Sequence, residues 1–287
     1  MPDISADLIA ATNEKCRRLR DALQAPEILI MPGAFNVLSA LLFQSLGFKA
    51  VQGSSSAIAN ASGRPDLNVG RERTVALMSE IVGAVDVPVN ADGEDGFGGP
   101  DEVRETVRAF VAGGVVGMNM EDGVRGDDGR LTLLPLEQQL EKITAFMEAR
   151  RELGSEFVLN ARTDAFLAMR DDPTAAFAEA VRRGQAFAEA GAECVFTWGI
   201  TDSETIRTFA KEVPAPVSVI AGPGSPSVPE LQELGVARVS FGSMFLYAAV
   251  GGVKKLAEEL LGPGTMTSLE QGPSRNEMRA LIESRRG

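Results

Sequence analysis

The sequence predicts a closed barrel of eight parallel strands, each followed by a helix. Runs of β-branched and apolar residues alternate with helical patterns along the chain, and eight such βα units follow one another. Three of the runs end in polar clusters, at Asn90-Ala91-Asp92, Glu121-Asp122 and Asn160-Ala161-Arg162. The carboxyl ends of parallel strands meet at one mouth of such a barrel, so these clusters are expected to face a common site.

The predicted strands are short, and turn residues or helix start signals follow them. They are expected at residues 28–31, 48–52, 87–90, 115–120, 157–160, 194–197, 217–220 and 236–241. The barrel helices are expected where apolar positions recur at helical spacing, at residues 36–46, 71–84, 100–113, 135–151, 173–190, 202–211, 228–234 and 243–261. Pro100, Gly191 and Asp202 stand at positions typical of helix ends.

Helical segments are also expected at both ends of the chain. One helix, at about residues 5–24, precedes the first strand, and a Gly/Pro-rich link with one more helix occupies about residues 262–287. The length of 287 residues suits an α/β barrel without a second domain. We therefore predict one barrel domain over residues 1–287.

The charge balance argues against two classes of partner. The net charge of -12 repels phosphate backbones and anionic lipid, so neither nucleic acid nor a membrane is expected as a partner. No apolar stretch approaches the length of a spanning helix, and Asp3, Asp7 and Glu14 stand where a signal peptide would be basic and then apolar. A cytoplasmic location is expected.

Two residue types limit the chemistry. The chain has no His, which excludes any mechanism in which its own imidazole acts as base, acid or ligand. Cys16 and Cys194 are the two cysteines, and each is expected to be a small packed residue without a disulfide partner.

A series of short motifs resembles the isocitrate lyase and phosphoenolpyruvate mutase superfamily. In order these are Met31-Pro32-Gly33-Ala34-Phe35-Asn36, Gly53-Ser54-Ser55-Ser56, Gly63-Arg64-Pro65-Asp66, Asn90-Ala91-Asp92-Gly93, Met120-Glu121-Asp122-Gly123 and Ala161-Arg162-Thr163-Asp164-Ala165. The resemblance implies a (β/α)8 barrel that binds Mg2+ and cleaves or forms a C–C or P–C bond next to a 2-oxo acid. It also implies a homodimer or homotetramer, in which the eighth helix can be exchanged between subunits.

The resemblance assigns roles to individual residues. Asp92 and Glu121 match acidic positions around the metal, Asp66 matches an outer acidic position, and Arg162 matches the Arg that holds the substrate carboxylate. These residue types suit Mg2+, or Mn2+ in its place, and a planar guanidinium fork suits a carboxylate. We predict Asp92, Glu121 and Arg162 as catalytic, with Asp66 as a further metal ligand.

Substrate binding is predicted for Arg162 and for four further polar residues. The hydroxyls of Ser54, Ser55 and Ser56 follow the second strand and can donate to the same anion, although turn chemistry also explains such a run. Asn90 stands where the family usually carries an Asp that touches the metal, and its neutral amide is a weaker ligand.

The loop after the fourth strand departs from the family pattern. The lyases carry a Lys-Cys-Gly-His type segment there, whereas this chain reads Gly123-Val124-Arg125-Gly126-Asp127-Asp128-Gly129-Arg130. Without that thiol, cleavage of isocitrate or methylisocitrate by the family mechanism is not expected. We predict a Mg2+-dependent decarboxylase or lyase that acts on a small, oxaloacetate-like 2-oxo acid through enolpyruvate, with residues 123–134 as a lid.

Several other interpretations stay open. A phosphonate-forming or phosphonate-cleaving enzyme of the same superfamily is the nearest catalytic alternative, and a non-catalytic dicarboxylate-binding protein is an alternative of another class. A Schiff-base aldolase is disfavoured because no Lys is predicted at the carboxyl end of a strand. At the level of residues, Asp92 can belong to a solvated turn, and Arg162 can form a purely structural ion pair with Asp164.

Overall fold

A computed structural model describes residues 4–65, 69–126 and 128–285 of the chain. Its strands are β1 (Leu29–Met31), β2 (Gly33–Ala34), β3 (Val51–Gly53), β4 (Val89–Asp92), β5 (Gly117–Glu121), β6 (Gly123–Arg125), β7 (Leu131–Leu133), β8 (Val158–Thr163), β9 (Cys194–Thr197), β10 (Val217–Ile220) and β11 (Arg238–Ser240). All of them except β6 and β7 form one parallel sheet in the order β1-β11-β10-β9-β8-β5-β4-β3-β2.

The two ends of this sheet are two halves of one strand. β1 pairs with β11 and β2 pairs with β3, and Pro32 alone separates β1 from β2. Proline has no N–H to donate, which accounts for the interruption, while its carbonyl still accepts a bond from the Gln52 N–H at 3.0 Å. The sheet therefore closes on itself, and the predicted (β/α)8 barrel is confirmed.

Helices cover the outside of the barrel and continue beyond it. They are α1 (Ala6–Gln24), α2 (Val37–Ser45), α3 (Ser55–Ala61), α4 (Arg71–Val82), α5 (Pro100–Ala112), α6 (Leu136–Glu152), α7 (Ala165–Ala168), α8 (Pro173–Glu189), α9 (Ser203–Glu212), α10 (Val228–Glu233), α11 (Met244–Leu261) and α12 (Arg275–Glu283), with a 3-10 turn at Thr267–Gln271. The sequence-based bounds of the eight barrel helices agree to within two residues. None of the described helices is both long and apolar enough to cross a bilayer.

Three elements were not predicted from the sequence. The short helices α3 and α7 follow β3 and β8 directly, and the segment expected as an irregular loop after β5 contains an antiparallel hairpin of β6 and β7. The second strand was also misplaced, because residues 48–50 precede it and the structure continues it to Gly53. Similarly, β4 and β8 extend two and three residues beyond their predicted ends, to Asp92 and Thr163.

The amino end of the barrel is closed by α1. Cys16, Leu19 and Leu23 of this helix pack on inward-facing residues of the strands, namely Leu29, Met31, Val158 and Cys194. Both cysteines are buried, as predicted. Since the floor of the barrel is apolar and filled, ligand access is restricted to the opposite, carboxyl end.

Truncation of the floor should cost substantial stability. Leu19 is 1% exposed, so Leu19→Ala leaves a cavity and is expected to lower the free energy of unfolding by about 2–5 kcal/mol. Leu46→Ala is the matched control, because Leu46 is 67% exposed and should lose about 1 kcal/mol or less. Urea unfolding measures both changes, and equal losses in the two variants would contradict the assigned role of α1.

Candidate active site

A cavity of about 230 Å3 lies at the carboxyl end of the barrel. The predicted residues Asp92, Glu121 and Arg162 all line it, and so do the three serines at positions 54–56. The other lining residues are Gly123, Arg125, Leu131, Asp164, Leu167, Trp198, Ile220, Phe241, Gly242, Ser243, Met244 and Tyr247. The structure therefore brings the acidic and cationic side chains from three different strands around one hollow.

Two carboxylates and two aromatic rings hold Arg162 in the wall of this cavity. Its Nη1 lies 2.6 Å from Glu121 Oε2 and its Nε donates to Asp164 Oδ1 at 2.7 Å. Phe196 and Trp198 face the guanidinium at 5.5 and 5.1 Å from their ring centroids, within the range of cation–π attraction. The guanidinium is thus preorganised, and the pair with Asp164 that the sequence offered as a structural alternative exists alongside the cavity position.

Charge pairing keeps Arg162 protonated. Burial by itself lowers the pKa of Arg162, but the nearby carboxylates of Glu121 and Asp164 outweigh it, and the net shift is upward. An arginine held in this way presents a permanent positive charge to an anionic ligand.

Asp92 is fixed at the tip of β4 by two donors. Ser55 Oγ donates to Asp92 Oδ2 at 3.0 Å, and the Glu94 N–H donates to Asp92 Oδ1 at 3.3 Å. Asp92 therefore lies in the cavity wall and not in a solvated turn.

The three serines are not equivalent. Ser54 accepts the Ala57 N–H at 3.3 Å and so caps α3, whereas Ser55 positions Asp92. Ser56 Oγ accepts from Asn60 Nδ2 at 3.2 Å. Each hydroxyl already has a partner within the protein, and all three residues still border the cavity.

The donor set fits a divalent cation that keeps part of its water shell. Asp92 and Glu121 each present a carboxylate to the same cavity. Mg2+ is commonly held by one or two carboxylates together with waters and substrate oxygens. Among the described residues, no group of three or more His, Cys, Asp or Glu side chains gathers into a metal cage. Two carboxylates therefore meet the minimum requirement, and the substrate would have to supply further ligands.

One predicted site residue, Asp66, lies outside the described residues. Another, Asn90, does not line the cavity. Asn90 is fully buried below the cavity, where its Nδ2 donates to Gln52 Oε1 at 2.9 Å and to Asn119 Oδ1 at 3.0 Å. Because Asn90 does not reach the cavity surface, we do not carry its predicted role in substrate binding further.

The β6–β7 hairpin covers one side of the cavity with Gly123, Arg125 and Leu131. The residue that anchors this hairpin, Arg183, was not predicted from the sequence. Arg183 of α8 donates to Asp122 Oδ2 at 3.0 Å and to the Leu134 carbonyl at 2.8 Å, so it joins both ends of the hairpin. Arg183 lies on the same helical face as the buried residues Ala176, Ala180 and Phe187. A charged residue in an otherwise apolar stripe is the signal that could have indicated a buried Arg183, although not its partners.

Asp122 is a buried carboxyl with an altered pKa. Burial raises its pKa to about 6, and the opposing effects of the Asp164 N–H and of Arg183 offset this shift only in part. The Asp164 N–H donates to Asp122 Oδ1 at 2.8 Å, which connects the hairpin anchor to the residue that holds Arg162.

An aromatic and apolar wall completes the cavity. Trp198, Ile220, Met244 and Tyr247 line it from the ends of β9 and β10 and from the start of α11. None of these four residues was predicted from the sequence, although Trp198 follows a predicted strand directly. Trp198 is the single tryptophan of the chain, so its fluorescence reports on this cavity.

Comparison with known proteins places the chain in a family. The family model described as phosphoenolpyruvate phosphomutase matches residues 19–261. The chain belongs to this family. Within the larger isocitrate lyase and phosphoenolpyruvate mutase superfamily, its curated relatives include carbon–carbon lyases, so the predicted family and the prediction of an enzyme are both confirmed.

Individual members of the family resemble the chain over most of its length. "Probable 2-methylisocitrate lyase 2" of Corynebacterium glutamicum is 31% identical over 267 residues, covering 90% of this chain and 84% of the relative. Phosphonopyruvate hydrolase of Variovorax sp. Pal2 is 30% identical over 270 residues, covering 89% and 90%. A solved phosphonopyruvate hydrolase complex with oxalate and Mg2+ superposes with a TM-score of 0.82 at 29% identity, covering 94% of this chain and 95% of that chain.

Removal of Arg183 should produce a stability loss that depends on pH. Because the folded-state pKa of Asp122 is raised from 3.8 to about 6, the folded protein binds more protons than the unfolded chain in this range, and this carboxyl stabilises less as pH rises. Arg183→Met removes the opposing cation, so we expect a loss of about 3–5 kcal/mol near neutral pH and a smaller loss near pH 4.

Urea unfolding across this pH range tests the anchor. Arg182→Met is the control, since the Arg182 side chain is 53% exposed and its pair with Glu179 should contribute about 0–1 kcal/mol at every pH. A loss in the Arg183→Met variant that does not change between pH 4 and pH 7 would show that ionised Asp122 is not what Arg183 stabilises.

Proposed function

We propose that this protein is a Mg2+-dependent lyase or decarboxylase that acts on a small, oxaloacetate-like 2-oxo acid through enolpyruvate. The observation that supports this most is the position of Arg162 between two carboxylates, in a cavity that Asp92 also lines. The site combines a fixed cation for the substrate carboxylate with oxygen donors for a metal. Family membership independently supports chemistry on a small organic acid.

Mg2+ would be held by Asp92 and Glu121, and Mn2+ would fit the same oxygen donors. When bound, the ion supplies Lewis-acid polarisation of the 2-oxo group, which favours electron flow from the breaking bond at C3. Asp66 is a further candidate ligand on the strength of its motif alone.

The chain's own residues orient the substrate and exclude water. Arg162 presents a planar set of N–H donors to the substrate carboxylate, while Glu121 and Asp164 prevent the guanidinium from rotating. The β6–β7 hairpin, tied down by Arg183, covers the cavity and shields the developing enolate from solvent. Because the segment after β5 lacks a thiol, the proton donor is expected to differ from that of the lyases that carry Lys-Cys-Gly-His.

The alternatives that the sequence left open share this cavity. A phosphonate-forming or phosphonate-cleaving activity is supported by the likeness to phosphonopyruvate hydrolase, which is similar over nine tenths of its length. A non-catalytic dicarboxylate-binding protein would use Arg162 in the same way. Turnover, more than geometry, separates these functions.

Assembly as a homodimer or homotetramer is part of the proposal. The eighth barrel helix, α11, exposes a row of large apolar residues, and Leu261 at its end is 90% exposed. The others are Met244, Tyr247, Val250, Val253 and Leu260. A second copy of this chain is the partner that we propose for this face, with α11 exchanged or packed between subunits. The predicted cytoplasmic location stays a prediction.

Turnover and binding assays test the proposed function together. Oxaloacetate incubated with protein and Mg2+ is expected to yield pyruvate faster than with Mg2+ alone, and oxalate is expected to change the Trp198 fluorescence only when Mg2+ or Mn2+ is present. Phosphonopyruvate followed by phosphorus NMR identifies the phosphonate alternative. Oxalate binding without turnover of either substrate would favour the binding protein, and no binding at all would contradict the proposal.

Replacement of Arg162 should reduce turnover without unfolding the protein. Arg162→Lys keeps the charge but loses the planar fork, so we expect kcat/KM to fall roughly 10- to 150-fold, which corresponds to a loss of about 1.5–3 kcal/mol of transition-state stabilisation. Arg182→Lys serves as the control because the Arg182 side chain is 53% exposed and does not line the cavity. Unchanged kcat/KM in the Arg162→Lys variant would show that bidentate binding of the carboxylate is not required.

A further inference from the structure

A cluster of polar side chains fills the barrel directly below the cavity. We call it the buried amide cluster, and it consists of Gln52, Asn90, Asn119, Asn160 and Arg238. Three of its members, Asn90, Asn119 and Asn160, lie two residues before a cavity residue on the same strand, as Asn160 lies before Arg162. The side chains are joined by hydrogen bonds, because Asn119 Oδ1 accepts from Asn90, from Asn160 and from Arg238.

Arg238 is the one charged member of this cluster. It is 1% exposed, and its Nη2 donates to Gln52 Oε1 and, at 3.4 Å, to Asn119 Oδ1. Its Nε has no hydrogen-bond partner. In the part of the chain that the structure describes, every hydrogen-bond partner of Arg238 is a neutral amide oxygen.

This arrangement differs from that of the other buried arginines. Arg162 and Arg183 are each paired directly with a carboxylate, as expected for charges that stabilise a fold. A buried guanidinium with neutral partners opposes folding, because desolvation of its charge is compensated only in part. Burial accordingly lowers the pKa of Arg238, to about 10, which still leaves it protonated at neutral pH. Stability alone does not account for this residue.

The guanidinium of Arg238 lies beside Asn90 of β4, in the layer of residues below the cavity wall. Asn90 Nδ2 donates to the same two oxygens as Arg238, so a neutral amide lies beside the guanidinium at this position. Asp92, the next inward-facing residue on that strand, contributes an attractive electrostatic effect on Arg238 from the cavity wall. In the low dielectric of a barrel interior, a charge acts over several ångströms with little screening.

We propose that Arg238 is a positioning residue whose buried, incompletely compensated charge strengthens the binding of anionic substrates in the cavity above it. This inference rests on the proposed function, since it requires that a small carboxylate binds there. Arg162 attracts the substrate carboxylate by direct contact, and Arg238 adds to this attraction from the interior of the barrel without touching the substrate. The charge of Arg238 therefore lowers the free energy of unfolding and raises the affinity for the anionic substrate.

The test compares charge-removing and charge-keeping variants in the full chain. Oxalate is titrated with Mg2+ present, and Trp198 fluorescence gives the dissociation constant. Arg238→Gln should weaken oxalate binding roughly tenfold, Arg238→Lys should bind nearly as the wild type does, and Arg182→Gln should bind unchanged. The Arg238→Gln effect should persist at high salt, because a buried charge is screened much less than an exposed one.

A second variant neutralises the charge without removing the arginine. Gln52 accepts a hydrogen bond from Arg238 Nη2, so Gln52→Glu pairs the guanidinium with a carboxylate. This variant should also weaken oxalate binding roughly tenfold. It decides the question if the Arg238→Gln variant is recovered unfolded. Equal affinity for oxalate in Arg238→Gln and Arg238→Lys, or unchanged affinity in Gln52→Glu, would overturn this inference alone. A wild-type protein that binds no oxalate would overturn the proposed function and this inference with it.

Discussion

The register between neighbouring strands is the constraint on which the site depends. β5 and β8 pair so that Glu121 lies opposite Arg162, which places the two side chains within ion-pairing distance on the inner face of the barrel. The pairing of β4 with β5 brings Asp92 to the same mouth. A shift of one residue in either pair would turn these side chains outward toward the helices. The register of the closed barrel therefore places Asp92, Glu121 and Arg162 around one cavity, and the apolar floor restricts ligand access to that end.

The buried charges form a hierarchy from the rim to the interior. At the rim Arg162 is neutralised by two carboxylates, and behind the hairpin Asp122 and Arg183 neutralise each other. Arg238 lies in the interior of the barrel. Among the described residues, only neutral amide oxygens accept hydrogen bonds from it. Ion pairs that preorganise a site reduce the cost of binding an anion, and an interior cation adds attraction without contact. This distribution of charge supports the proposed binding of a small acid.

Much of the fold follows from local signals in the sequence, whereas the finer placement of the site does not. Caps and helical spacing located the barrel helices closely, and the polar ends of three strands located Asp92, Glu121 and Arg162. Asn90 was misplaced because two inward-facing residues on one strand can lie at different depths, a distinction that depends on the length and tilt of β4. Arg183 and Arg238 escaped notice because their partners are 61 and 186 residues away, beyond the reach of any local pattern.

A crystal structure of the protein with Mg2+ and oxalate would show whether the cavity binds both. We expect oxalate in the cavity with a carboxylate group on the guanidinium of Arg162, and the cation held by oxalate and by the side chains of Asp92 and Glu121. Density for oxalate or the cation at another surface, with Arg162 still paired only with Glu121 and Asp164, would contradict the proposed function.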